Sequence, residues 1–348
     1  MKRKLISTTI FACLCCSIAI AQQTEEKEID WTQELTKRVN VHGYEQAGFT
    51  FKDVNGYASN TFQLYRTLLW VNCDITPRWS FRVMHDFSSK LQDVYTDFKV
   101  ADGLTIRFGQ FKHNYTLENP MSPTTLELID VYAQSVVYAQ SVVYLCGNGS
   151  DPLLGVQYGR DLGLEFSGEL FNKHFFYAVA AMNGQGVNVK DGNKYKDLIV
   201  KAETRVTDGL RFVVSGQLGK GHAIDSSIYN PAIKIGDNYT RNRFSAGGEF
   251  KSKPISIRSE FLAGLDGDVE SLGAYCTVKV PVCKTVDVIA SLDYFDKNTD
   301  VSMEQTNYTI GLQYWYFRKC RVQLQYTRCQ LGYAKDYNNL QTQIQIAF

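Results

Sequence analysis

Arg160-Asp161-Leu162-Gly163-Leu164-Glu165-Phe166-Ser167-Gly168-Glu169-Leu170 is the stretch on which the fold turns. Leu162, Leu164, Phe166 and Leu170 share one side of a two-residue period. Asp161, Glu165, Ser167 and Glu169 share the other. Successive strand side chains point to opposite faces, so this is a strand with one apolar and one polar face. The end of the chain repeats the pattern, with Leu340, Ile344, Ile346 and Phe348 set against Gln341, Gln343 and Gln345.

The same alternation marks sixteen strands along the chain, near 38–51, 60–75, 79–87, 91–100, 104–111, 160–170, 174–182, 196–206, 210–219, 240–251, 255–264, 271–280, 285–295, 306–317, 321–330 and 338–348. Most reach the roughly 9–11 residues that a tilted strand needs to cross a bilayer. Their connections largely alternate in length. Thr76-Pro77-Arg78, Ala101-Asp102-Gly103, Thr207-Asp208-Gly209 and Ser252-Lys253-Pro254 are tight turns, whereas 183–195, 220–239 and 296–305 are long and polar. The short connection at Ser88–Lys90 breaks the regularity. One rim of turns and one rim of loops is the layout of a membrane barrel. Closure follows because hydrocarbon offers no partner to an open sheet edge. The polar faces are then expected to enclose water, and an even strand count puts both termini on the tight-turn side. Trp79, Phe81, Phe175, Phe176, Trp315, Tyr316 and Phe317 lie at strand ends, where interfacial girdles are expected.

The N-terminus sets the location. Lys2, Arg3 and Lys4 precede an apolar run from Leu5 to Ile18, and Ala19-Ile20-Ala21 has the form of a cleavage site. Residues 1–21 are therefore expected to be a signal peptide, 22–37 a short polar lead and 38–348 the barrel. Leu14 before Cys15 does not suit lipidation. Without the three leading bases, 34 basic residues face 36 acidic ones, a net charge of −2. That balance gives no steering of nucleic acid. Cys73, Cys146, Cys276, Cys283, Cys320 and Cys329 form no CxxC pair, and His42, His85, His113, His174 and His222 form no paired metal spacing. Neither a metal nor another cofactor is expected, and no GxSxG announces a hydrolase.

One long interruption, 112–159, stands between the strands near 104–111 and 160–170. Long ordered insertions are usually functional, and in a closed barrel this one is expected to fold inward and narrow a pore. It holds an internal copy, Val131–Val136 repeated as Val137–Val142, which a loop tolerates at little entropic cost. Arg107 and Lys112 flank its entry, with His113 and Glu127 inside it. Arg66, Arg205, Arg211, Arg241, Arg243 and Arg258 fall on polar strand faces. Two roles stay open for these groups. Lys112 and His113 either meet permeant solutes or lie on a solvated loop surface. The wall arginines either touch solute or pair with facing carboxylates.

Phe108-Gly109-Gln110-Phe111-Lys112, Leu117-Glu118-Asn119-Pro120 and Ser122-Pro123 resemble the phosphate-selective porin O and P family, in its Bacteroidetes branch. Gly159-Arg160-Asp161-Leu162-Gly163-Leu164 and Met182-Asn183-Gly184-Gln185-Gly186 are similar to further segments of that family, and the terminal Phe348 resembles an outer-membrane assembly signal. The resemblance implies a sixteen-stranded homotrimeric porin of the bacterial outer membrane, with its third loop inside. It also implies a preference for phosphate or other small anions, carried by lumen arginines and constriction lysines. The residues depart from this in one respect. Twelve basic positions on the polar faces are matched by twelve acidic ones, Asp86, Asp93, Asp97, Asp161, Glu165, Glu169, Asp197, Glu203, Glu249, Glu260, Asp287 and Asp293. A strongly anion-selective wall carries a cationic surplus. A passive channel for small hydrophilic solutes is the first expectation. A surface adhesin or scaffold and a barrel hydrolase are the alternatives.

Overall fold

Strands with one apolar face stay in lipid only when their edges pair, and here every barrel edge does. The computed structural model describes residues 36–54, 56–129, 150–151, 153–301 and 303–348. The signal peptide, most of the polar lead, the internal copy and Cys146 lie outside the described residues. The strands are β1 (Val39–Val54), β2 (Tyr57–Thr76), β3 (Trp79–Asp86), β4 (Leu91–Ala101), β5 (Leu104–Lys112), β6 (Ser150–Asp151), β7 (Gly155–Val156), β8 (Arg160–Leu170) and β9 (Phe175–Met182). They continue with β10 (Asp197–Thr207), β11 (Leu210–His222), β12 (Asn238–Lys251), β13 (Ser256–Asp266), β14 (Val269–Pro281), β15 (Val286–Asp296), β16 (Glu304–Phe317), β17 (Cys320–Leu331) and β18 (Tyr337–Ala347).

Sixteen of these close an antiparallel barrel, while β6 and β7 pair with each other inside the insertion. Each barrel strand coincides with one expected from the alternation, its ends displaced by at most three residues. The seam is β1 against β18, in register from Tyr44 opposite Ala347 to Val54 opposite Tyr337. β5 pairs directly with β8, and Lys112 faces Arg160. The insertion therefore leaves and rejoins the wall at one hydrogen-bonded position, and the His113 N–H donates to the Gly159 carbonyl at 3.3 Å.

The two faces separate as the sequence implies. Leu340, Ile344 and Ile346 are 40, 44 and 50% exposed, whereas the intervening Gln341, Gln343 and Gln345 are 2, 1 and 0% exposed. Phe108, Phe166, Phe212, Phe244, Ile310 and Leu324 extend the outward apolar belt around the barrel. Two expected girdle residues face the other way. Trp315 shares a side with the buried Gln313, its indole N–H donates to Asp287 at 2.9 Å, and its ring lies 5.1 Å from the Arg321 guanidinium. Phe176 shares a side with the buried Ala178, Ala180 and Met182, and the Lys201 ammonium lies 6.0 Å from its ring. The period of two sends Trp315 and Tyr316 to opposite sides, while a register shift between Trp315 and Phe317 leaves Tyr316 and Phe317 both exposed.

Short joins at 77–78, 102–103, 208–209, 252–255 and 318–319 share one rim with the chain's end. The opposite rim carries the insertion and the loops 183–196, 223–237, 297–303 and 332–336, together with short joins at 87–90 and Gly267-Asp268. Gly267, at φ +62°, supplies the left-handed backbone that the latter join requires. Lys297 ties three rim loops together. Its ammonium donates to Gln305 at 3.2 Å and to the Tyr333 hydroxyl at 2.9 Å, and sits 5.2 Å from the Tyr229 ring.

Candidate functional site: the lumen and the inserted segment

The lumen is not lined by polar groups alone. Phe111, Tyr115, Ala180, Met182, Ile199, Leu262, Tyr275 and Phe295 form a buried apolar cluster inside the barrel. Tyr115 belongs to the insertion, as does Leu117, which is likewise buried. Burying these side chains drives the inserted segment inward, since each fully buried large apolar group contributes about 1.5–3 kcal/mol. The polar bonds around them then fix its path.

From the end of β5 the chain turns into the barrel. The Asn114 amide donates to both carboxylate oxygens of Glu165, at 3.0 and 2.9 Å. Thr116 adopts φ +62°, a conformation unfavourable for a β-branched residue, and is held there from three sides. Its N–H donates to Ser215 Oγ at 2.9 Å, its carbonyl accepts from Lys201 Nζ at 3.1 Å, and its hydroxyl accepts the Asn119 N–H at 3.0 Å. The Leu117 N–H donates to Glu260 at 2.7 Å. Asn119 closes the loop base by donating to the carbonyls of His113 and Gly159, at 2.8 and 2.9 Å.

Two walls receive the segment differently. Along β12–β14 the contacts to Glu118 and Glu127 are ionic. Arg258 donates to Glu118 at 2.7 Å, to Glu249 at 3.2 Å and to Glu127. Lys279 lies 3.7 Å from Glu127. Burial opposes ionisation of Glu127, but the Arg258 charge outweighs it and holds this carboxyl below its ordinary 4.5.

Across the lumen, β16–β18 and β1 present amides. Gln323 donates to the Glu127 carbonyl at 2.8 Å, and the Ile129 N–H donates to Gln325 Oε1 at 2.9 Å. Arg321 donates to the carbonyls of Leu126 at 2.8 Å and Pro123 at 3.3 Å. Gln345 and Gln46 reach the carbonyls of Thr124 and Pro123 at 3.4 and 3.5 Å. The segment thus crosses from the β5–β8 edge to the opposite wall.

The sequence-selected cations are placed as follows. Arg107 forms two bonds with Asp97, at 2.7 and 2.8 Å, and its guanidinium lies 4.1 Å from the Tyr95 ring. Arg205 meets Glu169 at 2.7 Å and Glu203 at 3.0 Å. Arg211 meets Glu249 at 2.9 Å and Glu203 at 3.4 Å. Arg241 lies 3.5 Å from Asp197 and 3.8 Å from Asp151, and Arg243 grips Asp266 at 2.8 and 2.7 Å. Arg66 donates to Gln46 at 2.5 Å. Lys112 donates to the Met121 carbonyl at 2.9 Å. His113 is buried in the lumen. That burial, reinforced by Arg241, Lys112 and Arg160, pushes its imidazole down to about 3, so it is neutral at neutral pH.

Sequence reasoning missed Glu118, Arg321 and the glutamine wall as partners of the insertion. The glutamines were visible as a period-two row, but nothing in that row says that it meets a backbone. Arg160 was also missed. It bonds Asp93 at 2.5 Å and shares that carboxylate with Arg82 at 3.5 Å.

No family model matches the sequence, and no curated protein matches it. Solved structures do match in fold. OmpT of Vibrio cholerae, in its trimer form, superposes with a TM-score of 0.63 over 89% of this chain and 99% of that one, at 14% identity. OprB of Pseudomonas putida gives 0.63 over 92% and 97%, at 11% identity. The outer membrane channel DcaP of Acinetobacter baumannii gives 0.58 over 89% and 97%, at 14% identity. The chain is built as an outer-membrane β-barrel, with its apolar belt outward and the insertion inside.

Proposed function

We propose that this barrel is a passive diffusion channel for small hydrophilic solutes, with the inserted segment setting its bore. The observation that carries this reading is the closed, two-faced wall with a polar inner side crossed by one inward loop. The channel DcaP, similar in fold, lends support. A homotrimer embedded in outer-membrane lipid fits the apolar belt and the trimer form of Vibrio OmpT.

Any anion or phosphate preference is modest on this reading. Arg107, Arg205, Arg211, Arg241, Arg243 and Arg258 all face carboxylates, which cancel the field a permeant anion would feel. Arg321 instead meets the Gln313 amide oxygen and the Leu126 carbonyl, and it makes no ion pair among the described residues. A preference for anions would arise there.

A plugged scaffold or adhesin is the second reading. It is favoured by the depth to which the insertion is bonded across the lumen. A hydrolase draws no support from the histidines. His113 meets Asn119, His174 meets the Arg205 carbonyl and His222 meets Asn238. Planar-bilayer conductance with a reversal potential in a salt gradient tests the proposal. Steps of conductance with weak charge selectivity support it. A folded barrel without channels supports the scaffold instead.

A further inference from the structure

The outer face of β1–β3 departs from the rest of the lipid-facing wall. β10 presents Leu198, Val200 and Val206 outward, and β17 presents Val322, Leu324 and Tyr326. On β1, Glu45 is exposed between the buried Tyr44 and Gln46, so its carboxylate points outward, opposite Ile346 of the apolar belt. On β3, His85 is exposed between the buried Met84 and Asp86. Neither group has a hydrogen bond or an ion pair among the described residues. Ionisable groups turned toward hydrocarbon are costly unless something polar meets them. The wall is also low here. β3 has eight residues and returns to β4 through 87–90 alone, whereas β9, equally short, is followed by the long loop 183–196. β2 pairs with β3 only from Leu68 opposite Asp86 onward, so 57–66 of β2 rise past the end of β3. Phe62, Leu64 and Phe87 are 85, 57 and 66% exposed beside this notch. Its shape is fixed, since Asp86 Oδ1 accepts the Thr67 N–H at 3.0 Å, the Ser88 N–H at 3.0 Å and the Ser88 hydroxyl at 2.7 Å. A strand edge flanked by apolar side chains invites another chain.

We propose that this face, carrying Glu45, Phe62, Leu64, His85 and Phe87, is the contact between copies of this chain, and that Glu45 of one copy meets His85 of the next, an assignment that rests on the homotrimer reading and adds to it the face and the pair. Complementarity picks the occupant. β1 and β3 flank β2, so one face offers a carboxylate and an imidazole two strands apart, and an identical neighbour supplies each with its partner. The imidazole N–H can donate to a carboxylate whether or not the ring is charged. A contact between two different strips of one surface is head-to-tail, and repeated by rotation it closes into a ring rather than stopping at a pair. Phe62, Leu64 and Phe87 then pack on the neighbouring barrel and shield the polar pair from hydrocarbon.

The test follows the mass of the purified full chain in detergent by light scattering over a dilution series, with circular dichroism as the check on folding. The parent should be an oligomer. Glu45→Leu should raise the concentration at which it dissociates by about tenfold or more, as loss of one partner of a shielded pair implies. A Glu45 that merely faced lipid gives the opposite result, because leucine suits hydrocarbon better and assembly would be unchanged. Glu45→Arg should prevent assembly, and Glu45→Arg/His85→Glu should restore it, which a local role of either residue would not produce. Val200→Leu, on the outer face of β10, should assemble as the parent does. Glu45→Leu decides the matter if the arginine variants fail to fold. Undiminished assembly in Glu45→Leu, or a folded charge swap that stays dissociated, overturns this assignment and leaves the homotrimer reading standing. A monomeric parent overturns both.

Discussion

Where they meet residues 118–129, the β12–β14 wall and the β16–β18 wall obey the same alternation and hold the same segment, yet they do so by opposite means. The first grips side chains with charge, through Arg258 on Glu118 and Glu127. The second grips backbone with amides, through Gln323, Gln325 and Gln345. A buried charge contact fails abruptly when one partner goes, because the survivor is left uncompensated. An amide contact is weaker singly and exchanges readily for another donor or acceptor. The loop is accordingly anchored on one side and releasable on the other.

Arg258→Ala is the severest test of that difference. It takes the guanidinium away from Glu118, and from Glu127 and Glu249, which keep Lys279 and Arg211 respectively. Removing one partner of a buried pair costs about 3–5 kcal/mol. Urea unfolding should show a loss of that order, and limited proteolysis should open the insertion first. Stability kept within about 1 kcal/mol would show that water screens this cluster and that the two walls are alike.

Arg321→Met is the matching cut on the amide side. Arg321 serves Gln313, Gln345, Pro123 and Leu126 from one guanidinium. Loss of hydrogen bonds from a charged donor to neutral acceptors should cost about 2 kcal/mol. No carboxylate bonds it directly, so the fall should be smaller than for Arg258→Ala. Higher single-channel conductance is expected with it, as the loop's releasable end comes free. A fall equal to or larger than that of Arg258→Ala would reverse the assignment of anchor and release.

The wall and the inward turn of the insertion were legible in the sequence, but the partners that hold the insertion were not, for a physical reason. A strand's two faces are written in a local period, so Leu340, Ile344 and Ile346 against Gln341, Gln343 and Gln345 could be sorted without coordinates. The inward course of 113–129 depends on partners far along the chain, such as Leu117 on Glu260 and Ile129 on Gln325. No local pattern records those pairings. Trp315 and Phe176 failed for a related reason: clustering at strand ends suggested girdles, but alternation sends neighbouring aromatics to opposite sides. Balanced lumen charge could be counted in advance. That the balance takes the form of specific pairs, such as Arg107 on Asp97 and Arg243 on Asp266, could not.

Acid should separate the walls without mutation. The Glu127 carboxyl is held below 4.5, although burial alone would raise it, because Arg258 and then Lys279 favour its charged form. A depressed carboxyl contributes stability that is complete above its unfolded pKa and lost as pH falls through its folded value. Loop docking on the charged wall should therefore hold at neutral pH and weaken only below pH 4.5. Gln46, Gln323, Gln325, Gln343 and Gln345 carry no titrating group. Conductance recorded from pH 7 to pH 3 should rise at the acid end, and Glu127→Gln should flatten that rise. An equally steep rise in Glu127→Gln would place the acid-sensitive contact elsewhere.

The mildest change is at the mouth of the insertion, where neither wall dominates. Lys112 is half-buried and donates to the Met121 carbonyl at 2.9 Å. Exchange for Glu removes that bond and reverses one charge beside the loop base, a change worth about 1 kcal/mol or less in a hydrated setting. The barrel should fold as before, while the anion-to-cation permeability ratio, read from the reversal potential in a salt gradient, should fall by a few-fold. An unchanged ratio would mean that the Lys112 charge is spent on the Met121 carbonyl and is not felt by passing ions. Charge selection would then fall to Arg321, on the wall that otherwise works through amides.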